Sequence, residues 1–387
     1  MSEALINPKI LSWARMRINL SSEDLAKKLN VKETQIEAWE NGKKRPTFIQ
    51  AQKLAEKLHI PFGYLYLKEI PQEKLSIPDL RTIKDLHKSE ISSDMYDLLN
   101  DLRFKQDWYR DYLIEQGREP LFFAGKYSID TNYKTIAEDI TNTLKLDMKH
   151  RESVSNWEDF LKLLIDKSEE VGIWVMRSGI VGNNTHRPLK VQEFRGLVIY
   201  DEIVPIVFLN GKDAKAAQIF TLIHELAHIW IGESGVSDLS LDVKSNISHN
   251  KIEKLCNKVT AEVLVPEIEL KERWRKEIDY VEQIEQLTSF FKVSSIVVAR
   301  RAYDLNLIEW QEYNKFYQNQ QELWKKIEKR GSGGQTKYTI PMRYGKHFTN
   351  IILMSALNGK IMLRDAGRLL GLAPPKLFNL AKDLGVV

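Results

Sequence analysis

The residues best suited to chemistry are His224-Glu225-Leu226-Ala227-His228, set inside the apolar run from Phe220 to Trp230. On a helix, side chains four residues apart share one face, so His224 and His228 can grip a single zinc ion. Glu225 can then reach the water in the ion's open position and act as general base. Such a site needs a third protein ligand. Glu253 is the best candidate, on a segment from Lys251 to Pro266 that reads as a second helix. Ile252, Leu255, Cys256, Val259 and Val263 recur there at helical spacing, and Glu253, Asn257 and Thr260 form a polar stripe beside them. Glu262 is a rival ligand. It lies a rotation of roughly 900° beyond Glu253, on the opposite side of the helix. Asp238, Asp242 and His249, in the polar loop from Glu233 to Asn250, are weaker alternatives. Asn257 shares the face of Glu253 and can orient a ligand. Cys256, the single cysteine, reads as a small core residue.

Strands must lead into the histidine helix. Gly172 to Met176, Phe194 to Tyr200 and Pro205 to Asn210 have the β-branched, apolar composition of strands. Asp201-Glu202 makes the turn of a hairpin between the last two, and Asp213 opens the histidine helix. An exposed strand edge can hold an extended peptide by β-augmentation. The loop from Ser178 to Lys190, with His186, is placed to wall such a cleft. Before the sheet, Ile91 to Gly117 reads as a long amphipathic helix, with Thr135 to Leu144 and Trp157 to Val171 as two more. After it, helices are expected over 266–278, 281–291 and 294–305. The segment 310–329 is charged and aromatic, and Arg330 to Gln335 reads as a flexible linker. The C-terminal region holds helices over 348–358, 363–370 and 375–384. Leu370 to Pro374 gives the last two a turn resembling a helix-turn-helix, in competition with an interaction or dimerisation role.

Residues 8 to 67 read as a run of short helices. Ser21 caps the helix that carries Leu25, Ala26 and Leu29, Asn30-Val31 makes a turn, and Ile36 and Trp39 point inward from the next helix. Leu25-Ala26, Val31, Ile36, Trp39-Glu40-Asn41-Gly42, Arg45-Pro46, Leu54-Ala55 and Leu58 together resemble the phage Cro/repressor helix-turn-helix, the XRE family. The resemblance implies a third helix that enters the major groove of operator DNA. Lys32, Thr34 and Gln35 would then stand at base edges, and Lys43, Lys44 and Arg45 at phosphates. The sequence departs from many relatives at Ser22, where glutamine is common, and Glu33 and Glu37 put negative charge on the reading face.

Composition sets the frame. A chain of 387 residues with 43% hydrophobic content should form two or three domains. A single cysteine excludes an internal disulfide and fits a reducing cytoplasm. No N-terminal signal is expected, and no apolar run is long enough for a membrane span. The net charge of +4 says little by itself about nucleic acid.

Phe220-Thr221-Leu222-x-His224-Glu225-x-x-His228, followed by Glu253-x-x-Cys256-Asn257-x-Val259-x-Ala261-Glu262-x-Leu264-x-Pro266, is similar to the ImmA/IrrE zinc metallopeptidases. Cys256 replaces the usual alanine of that family, and Val259 and Thr260 replace its usual phenylalanine and alanine. The resemblance implies zinc on His224, His228 and Glu253, with Glu225 as base. An XRE domain fused to such a peptidase implies a regulator from a prophage, stress-response or toxin–antitoxin setting, cutting a repressor or partner protein. The competing expectation is a non-catalytic antitoxin or autorepressor that binds a toxin and operator DNA. A homodimer is expected on paired half-sites. The expected fold is mainly α with a small β-sheet (α+β). It divides into a five-helix helix-turn-helix domain (1–67), a linker and long helix (68–127), a zincin-like peptidase domain (128–310) and a helical C-terminal region (311–387).

Overall fold

The computed structural model describes residues 2–71, 91–237, 250–326 and 336–386. Most of the linker expected at 68–90, the linker at Arg330 to Gln335, and Asp238, Asp242 and His249 lie outside the described residues. The fold is mainly helical with one small sheet, as expected. The chain divides into two compact units, 1–76 with 86–99, and 77–85 with 100–387.

The first unit opens with α1 (Pro8–Arg17), α2 (Ser22–Leu29), α3 (Glu33–Glu40) and α4 (Phe48–Lys57). Local chemistry sets the boundaries. Ser21 Oγ accepts from the backbone N–H of Asp24, and Thr47 with Gln50 forms a reciprocal capping box on α4. Asn30 ends α2 in the left-handed conformation. Leu25, Ala26, Ile36, Trp39, Leu54 and Leu58 fill the core. The fifth helix is a 3-10 turn, Phe62–Tyr66, rather than an α-helix. Five residues directly after Pro61 are too few to favour an α-helical nucleus.

The second unit surrounds a four-stranded sheet: β1 (Trp174–Ser178), β2 (Gly196–Ile199), β3 (Ile206–Asn210) and β4 (Gly235–Ser237), in the order β1-β3-β2-β4. β2 and β3 form the expected antiparallel hairpin, and β1 runs parallel to β3. β4 pairs antiparallel with β2 inside a segment that reads as loop in the sequence. A three-residue strand gives no measurable period. Against the sheet lies α9 (Lys215–Ile231), buried almost without interruption from Gln218 to Ile231. It starts two residues later than expected, with Ala214 as N-cap, and Asp213 accepts from Arg195 and from the Ala214 backbone N–H. α6 (Tyr133–Thr143), α8 (Trp157–Glu170) and α10 (Asn250–Leu264) pack against α9; α5 (Ser93–Glu115) and α7 (Met148–Glu152) are further helices before the sheet. They are followed by α11 (Glu267–Arg273), α12 (Tyr280–Phe291), α13 (Ser295–Asp304) and α14 (Trp310–Lys326). The chain closes with α15 (Thr336–Tyr344), α16 (Lys346–Leu357), α17 (Leu363–Leu370) and α18 (Pro374–Asp383). α7 and α15 were not legible in the sequence, the first for its brevity and the second for its internal Pro341.

A candidate metal centre and a helix-turn-helix

α9 is buried on every side, so packing rather than amphipathicity holds it in place. Its two histidines face α10. His224 Nε2 lies 3.1 Å from Glu253 Oε2, and His228 Nε2 lies 3.4 Å from Glu253 Oε1. The two Nε2 atoms are 3.2 Å apart. One ligand atom from each of His224, His228 and Glu253 falls within a 4.8 Å span, which suits a single ion. Both histidines are buried, whereas the Glu253 side chain stays 27% exposed, so the group has one open side.

The electrostatics describe three coupled groups. Burial disfavours charge on His224 and lowers its pKa, although Glu253 works the other way. Burial also opposes charge on His228, but Cys256 and Glu253 outweigh it and raise that pKa. Burial alone would raise the Glu253 carboxyl, yet the two imidazoles hold it well below the usual carboxylate range. The Nδ1 atoms of both histidines are buried without a hydrogen bond of standard geometry. Asn257 stands close enough to His224 to favour its protonated form.

α10 is fixed from its C-terminal end. Arg151, fully buried, donates to the carbonyl oxygens of Val263 and Leu264. Arg301 donates to the Val265 carbonyl oxygen at 3.0 Å and pairs with Glu262. These charged donors satisfy carbonyls that a helix end leaves open. Glu262, the rival ligand, is therefore an anchor of the helix and stands apart from the histidines.

Glu225 is fully buried on the sheet side of α9. The approach of α9 to β2 depends on Gly196: a Cβ there would meet Thr221 Cγ2 and lie 2.9 Å from Glu225 Oε1. Gly235 of β4 similarly borders His228, with 3.8 Å between its Cβ position and His228 Cε1. Both glycines escaped sequence reasoning; only an unexplained Gly inside the strand run Phe194 to Tyr200 hinted at a close approach. Cys256 is buried in the core, as expected, and also borders His228, which its place on the apolar stripe did not reveal. His186 is exposed, and its loop is tied to α17 through Asn183, which donates to the Leu370 carbonyl oxygen at 3.2 Å.

In the first unit, the segment from α2 to α3 is a helix-turn-helix. Val31 N–H donates to the Ala26 carbonyl oxygen at 3.0 Å across the turn. Lys32, at the N-cap of α3, and Thr34 are exposed, Gln35 is half-buried, and Lys43, Lys44 and Arg45 project from the α3–α4 loop. Lys32, Thr34 and Gln35 thus lie at the start of α3, and Lys43, Lys44 and Arg45 follow its other end. Arg15 of α1 binds Glu40 of α3 through two hydrogen bonds of 2.7 and 2.9 Å, a bidentate brace the sequence did not single out.

These two sites define a protein that joins a DNA-binding type of helix-turn-helix to a His-His-Glu group able to hold a metal ion. Residues 11–65 match the helix-turn-helix family model, and residues 168–303 match the IrrE N-terminal-like domain of the M78 peptidase family. The chain therefore fuses an XRE-type domain to an ImmA/IrrE-like peptidase domain, as its motifs implied. Residues 344–383 match a domain of unknown function (DUF8813). No curated protein matches the chain. Among the described residues, no helix is long and apolar enough to cross a membrane.

Proposed function

We propose that this protein is a DNA-binding regulator whose second unit is a zinc-dependent endopeptidase that cuts a repressor or partner protein. The observation that carries the reading is the convergence of His224, His228 and Glu253, with Glu225 buried one residue along from the first ligand. Two imidazoles and one carboxylate are the donor set of zinc peptidases, and the open side leaves a fourth position. Zinc held there would supply a Lewis acid and lower the pKa of water at the site. Glu225 takes the proton of the attacking water on its carboxylate and delivers it to the leaving amine nitrogen. Asn257 steadies His224, and Arg151 with Arg301 holds α10 so that Glu253 keeps its position. Among the described residues β4 is the sheet edge next to His228, and such an edge suits an extended peptide laid antiparallel to it.

Lys32, Thr34 and Gln35 are assigned to base edges, and Lys43, Lys44 and Arg45 to phosphates, of operator DNA bound by a homodimer. On this reading cleavage serves transcription, in a cytoplasmic setting such as a prophage, stress-response or toxin–antitoxin circuit, and the fusion of the two domains supports it. The test compares new protein N-termini in cells expressing wild type or Glu225→Gln. A single new terminus seen only with wild type supports the peptidase and names its substrate. No difference, with a stable partner complex formed equally by both proteins, replaces it with a non-catalytic antitoxin or autorepressor.

A further inference from the structure

We infer that α17 and α18 form a second helix-turn-helix that binds duplex DNA, so that one chain carries two DNA readers. The first observation is an internal geometric match. In the first unit, α2 and α3 are joined by Asn30, Val31 and Lys32; in the second, α17 and α18 are joined by Gly371, Leu372 and Ala373. Asn30 has φ 55° and ψ 49°, and Gly371 has φ 61° and ψ 30°. The N-cap residues Lys32 and Ala373 are both extended, at φ −76° and −65°. Across each turn one backbone bond repeats: Val31 N–H to Ala26 at 3.0 Å, and Leu372 N–H to Gly367 at 2.8 Å. Ile36 and Trp39 are buried four and seven residues after Lys32, and Leu377 and Leu380 at the same steps after Ala373. Gly367 takes the place of Ala26, and a Cβ there would come within 2.5 Å of the Leu372 carbonyl oxygen. A small residue thus stands at the same step before both turns.

The second observation is the chemistry of the outward face. Lys376, Phe378, Asn379 and Lys382 of α18 are exposed, and the first turn of α18 has no acidic residue. α3 carries Glu33 and Glu37 on the corresponding face; α18 has Pro374 and Phe378 at those steps. Lys376 stands where Gln35 stands in α3 and reaches guanine or phosphate, Asn379 is suited to adenine, and Phe378 to a thymine methyl group. Residues 345–386 contain six Lys or Arg against two Asp, an excess equal to the net charge of +4 of the entire chain. On α18 itself Lys376 and Lys382 stand against Asp383, and the net positive charge of the segment around it attracts a polyanion. The turn is also held rigidly: Asn183 donates to the Leu370 and Gly371 carbonyl oxygens, so α18 is presented on the peptidase-bearing unit.

The test offers the full-length protein a random-sequence duplex pool and sequences what binds. Two enriched motifs are expected. Lys376→Ala with Asn379→Ala should remove one of them, weaken binding of its duplex about 10-fold to 100-fold, and leave the other motif intact. Gln35→Ala should do the reverse. Lys382→Ala alone, on the exposed far end of α18, should make the salt dependence of that duplex shallower by about one. Unchanged circular dichroism and metal content exclude misfolding of the variants. A single motif indifferent to all α18 changes overturns the inference. So does an α18 variant that alters only the sedimenting mass, which would make the face an interface between copies.

Discussion

Arg301 donates a charge-assisted hydrogen bond to Glu262, and that pair decides which carboxylate of α10 faces the histidines. Glu262 is committed to the helix end, and Glu253 lies 3.1 Å from His224 Nε2. The two carboxylates should respond differently to loss of charge. Glu253→Gln should weaken zinc binding by at least about 100-fold while the fold survives. Glu262→Gln should leave zinc binding within a few-fold but cost about 3 kcal/mol of stability, because it removes the charge paired with the buried Arg301 guanidinium. Chelator competition and thermal unfolding on both variants separate the roles. Equal zinc loss in the two would refute the assignment.

Gly196 sets the distance between β2 and Glu225. Gly196→Ala puts a methyl group against Thr221 Cγ2 first and 2.9 Å from Glu225 Oε1. The expected cost is about 1–3 kcal/mol of stability and a greater proportional loss of cleavage than of zinc binding. Metal content measured beside cleavage of the substrate found by N-terminal mapping checks it. Parallel loss of both would mean that the whole helix shifts.

Cys256 is fully buried and burial pushes its thiol pKa up, so it should behave as an inert thiol in the native protein. Iodoacetamide at neutral pH should leave it unmodified and label it stoichiometrically in denaturant. Rapid native labelling, read by mass spectrometry, would show that α10 opens locally around the site.

Glu169 gives a pH dependence. It is buried at the end of α8, and its carboxylate accepts from the Lys346 backbone N–H at the start of α16, where Gly345 offers no capping side chain. Asp166, Lys346, His347 and Tyr109 also act on it. Burial pushes its pKa up to about 7, against an ordinary 4.5, while the Lys346 backbone N–H works the other way. The folded state therefore holds a proton that the unfolded state has released between these values. Its contribution is full below about pH 4.5 and is lost as pH rises through about 7, to a limit of about 3 kcal/mol. Glu169→Gln should flatten this part of the melting profile between pH 5 and 8. An unaltered slope would show that other groups govern it.

The basic loop after α3 supplies a last expectation. Replacing Lys43, Lys44 and Arg45 with alanine should make the dependence of log K on log salt shallower by about two to three for a duplex enriched by the N-terminal reader. Fluorescence anisotropy at several salt concentrations measures it. Reduced affinity with an unchanged slope would rule out phosphate contacts.

Much of the site was legible because helical spacing is a local property. Two histidines four apart, and the polar stripe of Glu253 and Asn257, lie on defined faces wherever the helices go. The turn at Asn30, the cap at Ser21 and the hairpin at Asp201-Glu202 follow from backbone preferences that act over a few residues. Periodicity also placed Glu262 opposite Glu253, but could not say which of the two would meet the histidines. That choice depended on Arg301, a partner distant in sequence. Long-range packing also decided the close approach of Gly196 to Glu225, the pairing of β4 with β2, and the position of Cys256 beside His228. None of these leaves a repeat in the chain, since each arises only when separate elements are pressed together. The sequence alone determined the kinds of groups present and the faces they occupy; tertiary packing decided which faces meet, because burial and charge pairing are settled between elements and not within them.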